Sequence, residues 1–156
     1  MKAKNCLIFG GSGQIGTHLI RKLTKNNYRV TVVTRNLHQK SYKIKTQGNA
    51  GFIDIIESSI FDEKKIRELL KNADICINLI GILFEKKGGN NFNNIHTLFP
   101  SLLAKLCKEY NLKQFIHISA LGINESKESK YAKSKLDGEL KILKYYPTAT
   151  ILRPSI

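Results

Sequence analysis

The sequence predicts an α/β protein: a doubly wound parallel sheet of six strands in the order 3-2-1-4-5-6, with helices on both faces. Three observations carry that expectation. Short apolar or β-branched runs alternate with amphipathic stretches along the whole chain, the mark of successive βαβ units. The first run, Cys6-Leu7-Ile8-Phe9, ends in a glycine cluster that opens directly into a helical pattern. Right-handed crossovers then restrict the strand order to that of a Rossmann-type sheet.

The elements follow in order. Gln14 to Lys25 reads as a helix with Ile15, His18, Leu19 and Leu23 on one face, stopped by Asn26-Asn27. Arg29 to Thr34 is a β-branched strand. Arg35 to Gly51 is polar and weakly periodic, a loop with a short helix. Phe52 to Ile56 is the third strand, and Asp62 caps a helix carrying Ile66, Leu69 and Leu70. Ala73 to Leu83 holds a buried strand and a turn, followed by a mobile surface loop from Phe84 to Asn94. Ile95 to Tyr110 is a long helix, Gln114 to Ser119 the fifth strand, Tyr131 to Tyr145 the last helix and Thr148 to Leu152 the sixth strand. Neither repeats nor low-complexity linkers interrupt the pattern, so 1–156 reads as one nucleotide-binding domain.

Composition removes several function classes. The chain has 156 residues, 42% of them hydrophobic, and no apolar run approaches the roughly 20 residues that span a bilayer. A strand begins almost at the first residue, which leaves no room for a cleavable leader. Cys6, Cys76 and Cys107 are odd in number and lie in apolar stretches, so they read as reduced core thiols, with no disulfide or metal framework. The net charge is +14. Its lysines are scattered rather than clustered with aromatics, and the motifs of nucleic-acid modules are missing. A compositional drift explains the charge better than a polyanionic partner.

The chemistry starts at the glycine cluster. Gly11-Ser12-Gly13-Gln14-Ile15-Gly16 satisfies G-x-G-x-x-G, and Gly10, Gly13 and Gly16 satisfy its G-x-x-G-x-x-G variant. An early glycine permits the tight turn, Gly13 lets a diphosphate approach the backbone, and Gly16 lets helix and strand close. The helix start offers unpaired N–H groups and a partial positive charge to the anion. Where an NAD site carries an acidic residue after its second strand, this chain has Thr34-Arg35-Asn36. Arg35 can pair a 2′-phosphate, with Thr34 and Asn36 as further donors, which favours NADP(H) over NAD(H). The alternative is a solvated loop arginine in a basic protein. Tyr131-Ala132-Lys133-Ser134-Lys135 gives Tyr-x-x-x-Lys, both side chains on one helix face. A lysine cation lowers a phenol's pKa toward working pH, and Ser119 at a strand end is placed to polarise a carbonyl or hydroxyl oxygen.

With these residues the chain resembles the short-chain dehydrogenase/reductase superfamily, in its extended or atypical NAD-dependent epimerase/dehydratase-like branch. The stretches 77–85, 115–122 and 149–155 are most similar to one subgroup: the nucleotide-binding accessory subunit of respiratory complex I and its bacterial relatives. The resemblance implies that Gly10, Gly13 and Gly16 cradle the pyrophosphate, with Ser12, Gln14 and Ile15 in the same turn. It implies Arg35 at the 2′-phosphate, Leu79, Ile80 and Gly81 beside the adenosine, Tyr131 and Lys135 at the nicotinamide ribose, and Pro154 to Ile156 facing the carboxamide. Three positions depart from the enzymes' pattern. The second, catalytic hydroxyl position after the fifth strand falls on Ala120, His96 stands where an asparagine supports the lysine, and Ser59 stands where an aspartate meets adenine.

A fourth departure is length, since family members continue past the sixth strand into a substrate-binding region. A fragment is therefore expected, the alternative being a minimal nucleotide-binding half, with its substrate unreadable. The resemblance implies a nucleotide holder, structural or in assembly, associated with complex I subunits at the inner face of a respiratory membrane on the cytoplasmic side. The alternative is an NADP-dependent oxidoreductase or sugar-nucleotide epimerase/dehydratase using Tyr131, Lys135 and Ser119.

Overall fold

The computed structural model of the protein describes residues 3–126 and 128–155. Its elements are β1 (Asn5–Phe9), α1 (Gln14–Lys25), β2 (Arg29–Thr34), α2 (Leu37–Lys45), β3 (Ile53–Glu57), α3 (Glu63–Leu70), β4 (Ile75–Asn78), α4 (Phe99–Glu109), β5 (Gln114–Ile118), α5 (Lys130–Tyr145) and β6 (Thr150–Leu152), with a π-helical segment, Asn93–Leu98, leading into α4. The strands form one sheet in the expected order, β3-β2-β1-β4-β5-β6. The chain divides into two compact units, Met1–Leu79 and Ile80–Ile156.

In the first unit, β1 lies between β2 and β4, and its interior residues Cys6 to Phe9 are all buried. Burial on both faces is why these strands read as continuous apolar runs without alternation. Phe9 pairs with Val33 on one side and Asn78 on the other, while Thr34 pairs with Glu57. The register brings the carboxyl ends of these strands to one edge, and the glycine turn, Arg35, Ser59 and Leu79 all leave from it. Helix α1 buries Gly16, Thr17, Ile20 and Thr24, while Ile15 is half exposed and His18 exposed. The expected face was therefore rotated. Close packing of Gly16 onto the turn fixes which line of residues meets the sheet, and apolar periodicity alone does not report that contact. The segment expected as mostly loop contains the nine-residue α2, started by the Asn36 carboxamide accepting from Gln39 N (3.3 Å) and anchored by buried Ile44. Asp62 caps α3 as expected, accepting from Lys65 N at 3.0 Å.

In the second unit, Ile95, Phe99, Leu103, Leu106, Phe115 and Ile142 form the buried core. The helix expected from Ile95 starts earlier and starts as a π-helix. Its wider i→i+5 winding brings residues four apart nearly into line, which lets Phe92 stack on His96. At Gly138 on α5 an added Cβ would lie 1.9 Å from the His96 carbonyl oxygen, so helix and π-helical segment touch backbone to backbone there. Ser129 caps α5, accepting from Ala132 N. The loop after β4 carries its own bonds: Lys86 N to Asn90 O, Phe92 N to Glu85 Oε1, and Asn94 Nδ2 to Gly89 O, at 2.8–3.0 Å. Cys6, Cys76 and Cys107 are buried and form no disulfide, and burial, with help from Asp74, pushes the Cys6 thiol up to about 12. Among the described residues no helix is long and apolar enough to cross a membrane, and no cluster of His, Cys, Asp or Glu could hold a metal ion.

Candidate functional site

The first unit contributes backbone. Gly10 adopts φ +82°, a left-handed turn residue immediately after β1. A Cβ on Gly16 would sit 2.5 Å from Gly11 O, so that glycine is required by the turn itself. Gly13 differs: a Cβ there would meet only Gly10 O, at an ordinary 3.5 Å, and the residue is exposed. The fold therefore has no internal need for Gly13. Gly13 is also the N-cap of α1, without a side-chain cap and without an acidic residue in the first turn. The first-turn amides of Gln14, Ile15 and Gly16 have no intrahelical acceptor, as in any α-helix, and here no carboxylate competes for them. This is a cradle that a side chain at position 13 would fill, and it fits a diphosphate.

Around it, Arg35 is exposed just past β2. The two flanking residues expected as donors beside it also accept locally: Thr34 is buried with its hydroxyl accepting from Asn36 N (3.4 Å), and the Asn36 carboxamide oxygen caps α2 by accepting from Gln39 N (3.3 Å). Ser59 is exposed, its hydroxyl accepting from Phe61 N in a local turn. Leu79 donates its N–H to Phe9 O at 2.9 Å, tying the ends of β4 and β1 together.

The second unit contributes side chains. Lys135 is 4% exposed, and its ammonium donates to Ile118 O at 3.2 Å, with the Tyr131 ring centroid 6.0 Å away. A Cβ on Gly81 would come within 3.3 Å of that nitrogen. His96 is fully buried; its Nε2 accepts from Ile82 N (3.0 Å), so the ring proton sits on Nδ1 and is donated to Ser134 Oγ (2.9 Å), which in turn donates to Tyr131 O (2.7 Å). His96, which stands where the enzymes' pattern has a lysine-supporting asparagine, spends both ring nitrogens on Ile82 and Ser134. Phe92 stacks on His96, and Tyr131 presents an edge to both rings at 5.2–5.9 Å. Ser119 is 3% exposed, and its Oγ has no hydrogen-bond partner. Ala120 is buried with Ile123 and Ala132. Pro154 O accepts from Leu121 N at 3.1 Å, while Ile156, expected at the carboxamide, lies outside the described residues.

Burial sets the electrostatics. It pulls Lys135 down to about 8, partly offset by the charge of Glu139. Burial, then the Lys135 cation, brings His96 to about 4 and His117 to about 3, so both rings are neutral at ordinary pH. Burial also raises the Tyr131 phenol, opposite to what a lysine neighbour alone would do. Two residues escaped the sequence reading. Glu139 is 3% exposed and bonded through both oxygens to Arg153, Oε1 accepting from Nε at 2.9 Å. The signal was present as Lys135-x-x-x-Glu139, one helical turn apart, but only burial separates this pair from an ordinary surface one. Ser134, between the two motif residues, was also legible only once His96 faced it.

The chain belongs to the NAD dependent epimerase/dehydratase family, whose model matches residues 6–153. Among its relatives, it is 26% identical over 148 residues to the NADH-ubiquinone oxidoreductase 40 kDa subunit, mitochondrial, of Neurospora crassa, covering 95% of this chain and 39% of that protein. It is 30% identical over 153 residues to NADH dehydrogenase [ubiquinone] 1 alpha subcomplex subunit 9, mitochondrial, of Dictyostelium discoideum, covering 96% and 41%. The chain thus spans about two fifths of the length of these curated relatives. The solved UDP-glucuronic acid 4-epimerase from Bacillus cereus, in complex with NAD, superposes with TM-score 0.81 at 24% identity, over 97% of this chain and 56% of that one. At that identity the likeness is one of fold.

Proposed function

We propose that this chain holds a nicotinamide dinucleotide, NADP(H) in preference to NAD(H), within a structural or assembly subunit of respiratory complex I at the inner face of a respiratory membrane. The single observation that carries the reading is in the second unit: a complete Tyr131–Lys135 pair stands beside Ala120, an apolar residue packed with Ile123 and Ala132 where a catalytic hydroxyl is expected. Binding features are present without the full proton-transfer set. The names of the two mitochondrial relatives support the partner assignment.

In this reading Gly10, Ser12, Gly13, Gln14, Ile15 and Gly16 take the diphosphate, and Arg35 takes the 2′-phosphate. Leu79, Ile80 and Gly81 border the adenosine. In the second unit Lys135 and Tyr131 hold the ribose hydroxyls by hydrogen bonds, and Pro154 borders the carboxamide. The bound dinucleotide supplies a hydride donor, which a holder leaves unused. A second reading, an NADP-dependent oxidoreductase or sugar-nucleotide epimerase/dehydratase, is favoured by one observation: the buried Ser119 hydroxyl with no hydrogen-bond partner, next in sequence to the Lys135 acceptor Ile118.

The deciding experiment is paired. Lys135→Ala is measured for NADPH retention and thermal shift, where a holder loses both through linkage. Wild type and Tyr131→Phe are measured for NADPH oxidation with a carbonyl panel. Turnover in wild type that drops about 10²–10⁴-fold in Tyr131→Phe, with retention intact in both variants, replaces the holder by an enzyme.

A further inference from the structure

Lys135 is a buried ammonium, bonded to a carbonyl oxygen. A charge removed from water in this way sheds its proton unless a counter-charge faces it. The titratable groups around it come from every packed element: His96 from the π-helical segment, His117 from β5, Tyr131 and Glu139 from its own helix, and Arg153 past β6 paired to Glu139. At ordinary pH both histidines and the tyrosine are neutral. Glu139 is therefore the one carboxylate acting on the lysine among these groups. It lies one helical turn from Lys135 on the same helix and is itself 3% exposed. Arg153 fixes its position with a two-point pair, and the arginine's own side chain remains 37% exposed, so its charge is partly solvated.

We propose that Glu139 is a positioning residue for Lys135: fixed by Arg153 one helical turn from the lysine, its carboxylate is the counter-charge that keeps the lysine ammonium seated on Ile118 O. The use of that charge, binding ribose hydroxyls, rests on the dinucleotide reading above. The same pair fastens the segment after β6 to α5, so Arg153 and Pro154 move with the helix that carries Tyr131 and Lys135.

The geometry makes an opposite-sign prediction. In Glu139→Gln the counter-charge is gone while Arg153 remains, and the Lys135 titration midpoint falls by roughly one unit from its value of about 8. In Arg153→Gln the carboxylate faces the lysine without a competing cation, and the midpoint rises. Both are read on the whole chain by NMR of isotope-labelled lysine, with Lys135→Met assigning the resonance and NADPH binding measured beside it. Shifts of opposite sign support the proposal, and in Glu139→Gln NADPH binding then weakens more steeply with rising pH. Midpoints that stay put, or move together, overturn it and leave the pair a strut. If Glu139→Gln does not fold, the half-exposed Arg153 variant decides by its sign alone. Should wild type fail to bind NADPH, the cofactor reading falls while the lysine midpoints still judge the role of Glu139.

Discussion

Gly16 and Gly138 are required by the protein's own packing, whereas Gly13 is not. An added Cβ at Gly16 or Gly138 would overlap backbone oxygen at 2.5 and 1.9 Å, but at Gly13 it would meet only a normal contact. The same contrast separates the two units. The first presents backbone amides and an exposed arginine on a rigid strand edge, with little in its own packing to explain the open cradle. The second presents buried side chains, Lys135, His96, Ser134 and Glu139, whose bonds to one another and to the backbone are mostly accounted for. A position that the fold does not need is evidence for a ligand; a position that it does need says little about one.

The largest expected effect tests the fold side of that contrast. Gly138→Val forces α5 off the His96 carbonyl and costs about 4 kcal/mol or more, read as loss of cooperative urea unfolding in the second unit. Retained stability would mean that helix and π-helical segment separate freely. Gly13→Val tests the ligand side: stability changes little, while NADPH binding by cofactor fluorescence weakens about 100-fold or more, near 3 kcal/mol. Undiminished binding would move the diphosphate away from the turn.

Acid sharpens the comparison by acting on the second unit. The folded-state pKa of His96 is lowered from 6.5 to about 4, so the unfolded chain takes up the proton first. The stability held by neutral His96 is full above about pH 6.5 and is lost as pH falls toward 4, with an upper bound of about 3 kcal/mol. Thermal unfolding followed over that range checks it. His96→Asn, which retains an acceptor for Ile82 N, should flatten the slope. Arg35→Asp is the smallest change, shifting preference from NADPH toward NADH by about 1.5–3 kcal/mol, ten- to a hundredfold. Equal titration of both cofactors by wild type would reduce Arg35 to a surface charge.

The strand order, the glycine turn, the start of α1 at Gln14 and the cap at Asp62 were legible because each rests on local chemistry: which residues alternate, which permit a left-handed turn, which carry a side-chain acceptor near free amides. The sequence by itself also placed Tyr131 and Lys135 on one helix face, since a four-residue spacing is a local property of a helix. Tertiary structure decided the rest. It rotated α1 so that Gly16 and Ile20, not Ile15 and His18, meet the sheet. It made His96 a bridge from Ile82 to Ser134. It converted Glu139 and Arg153 from two unremarked charges into a buried pair. The physical reason is desolvation: a charge or ring nitrogen acquires its energetic role from what has been removed from water around it, and no spacing along the chain encodes which distant residues will do the removing.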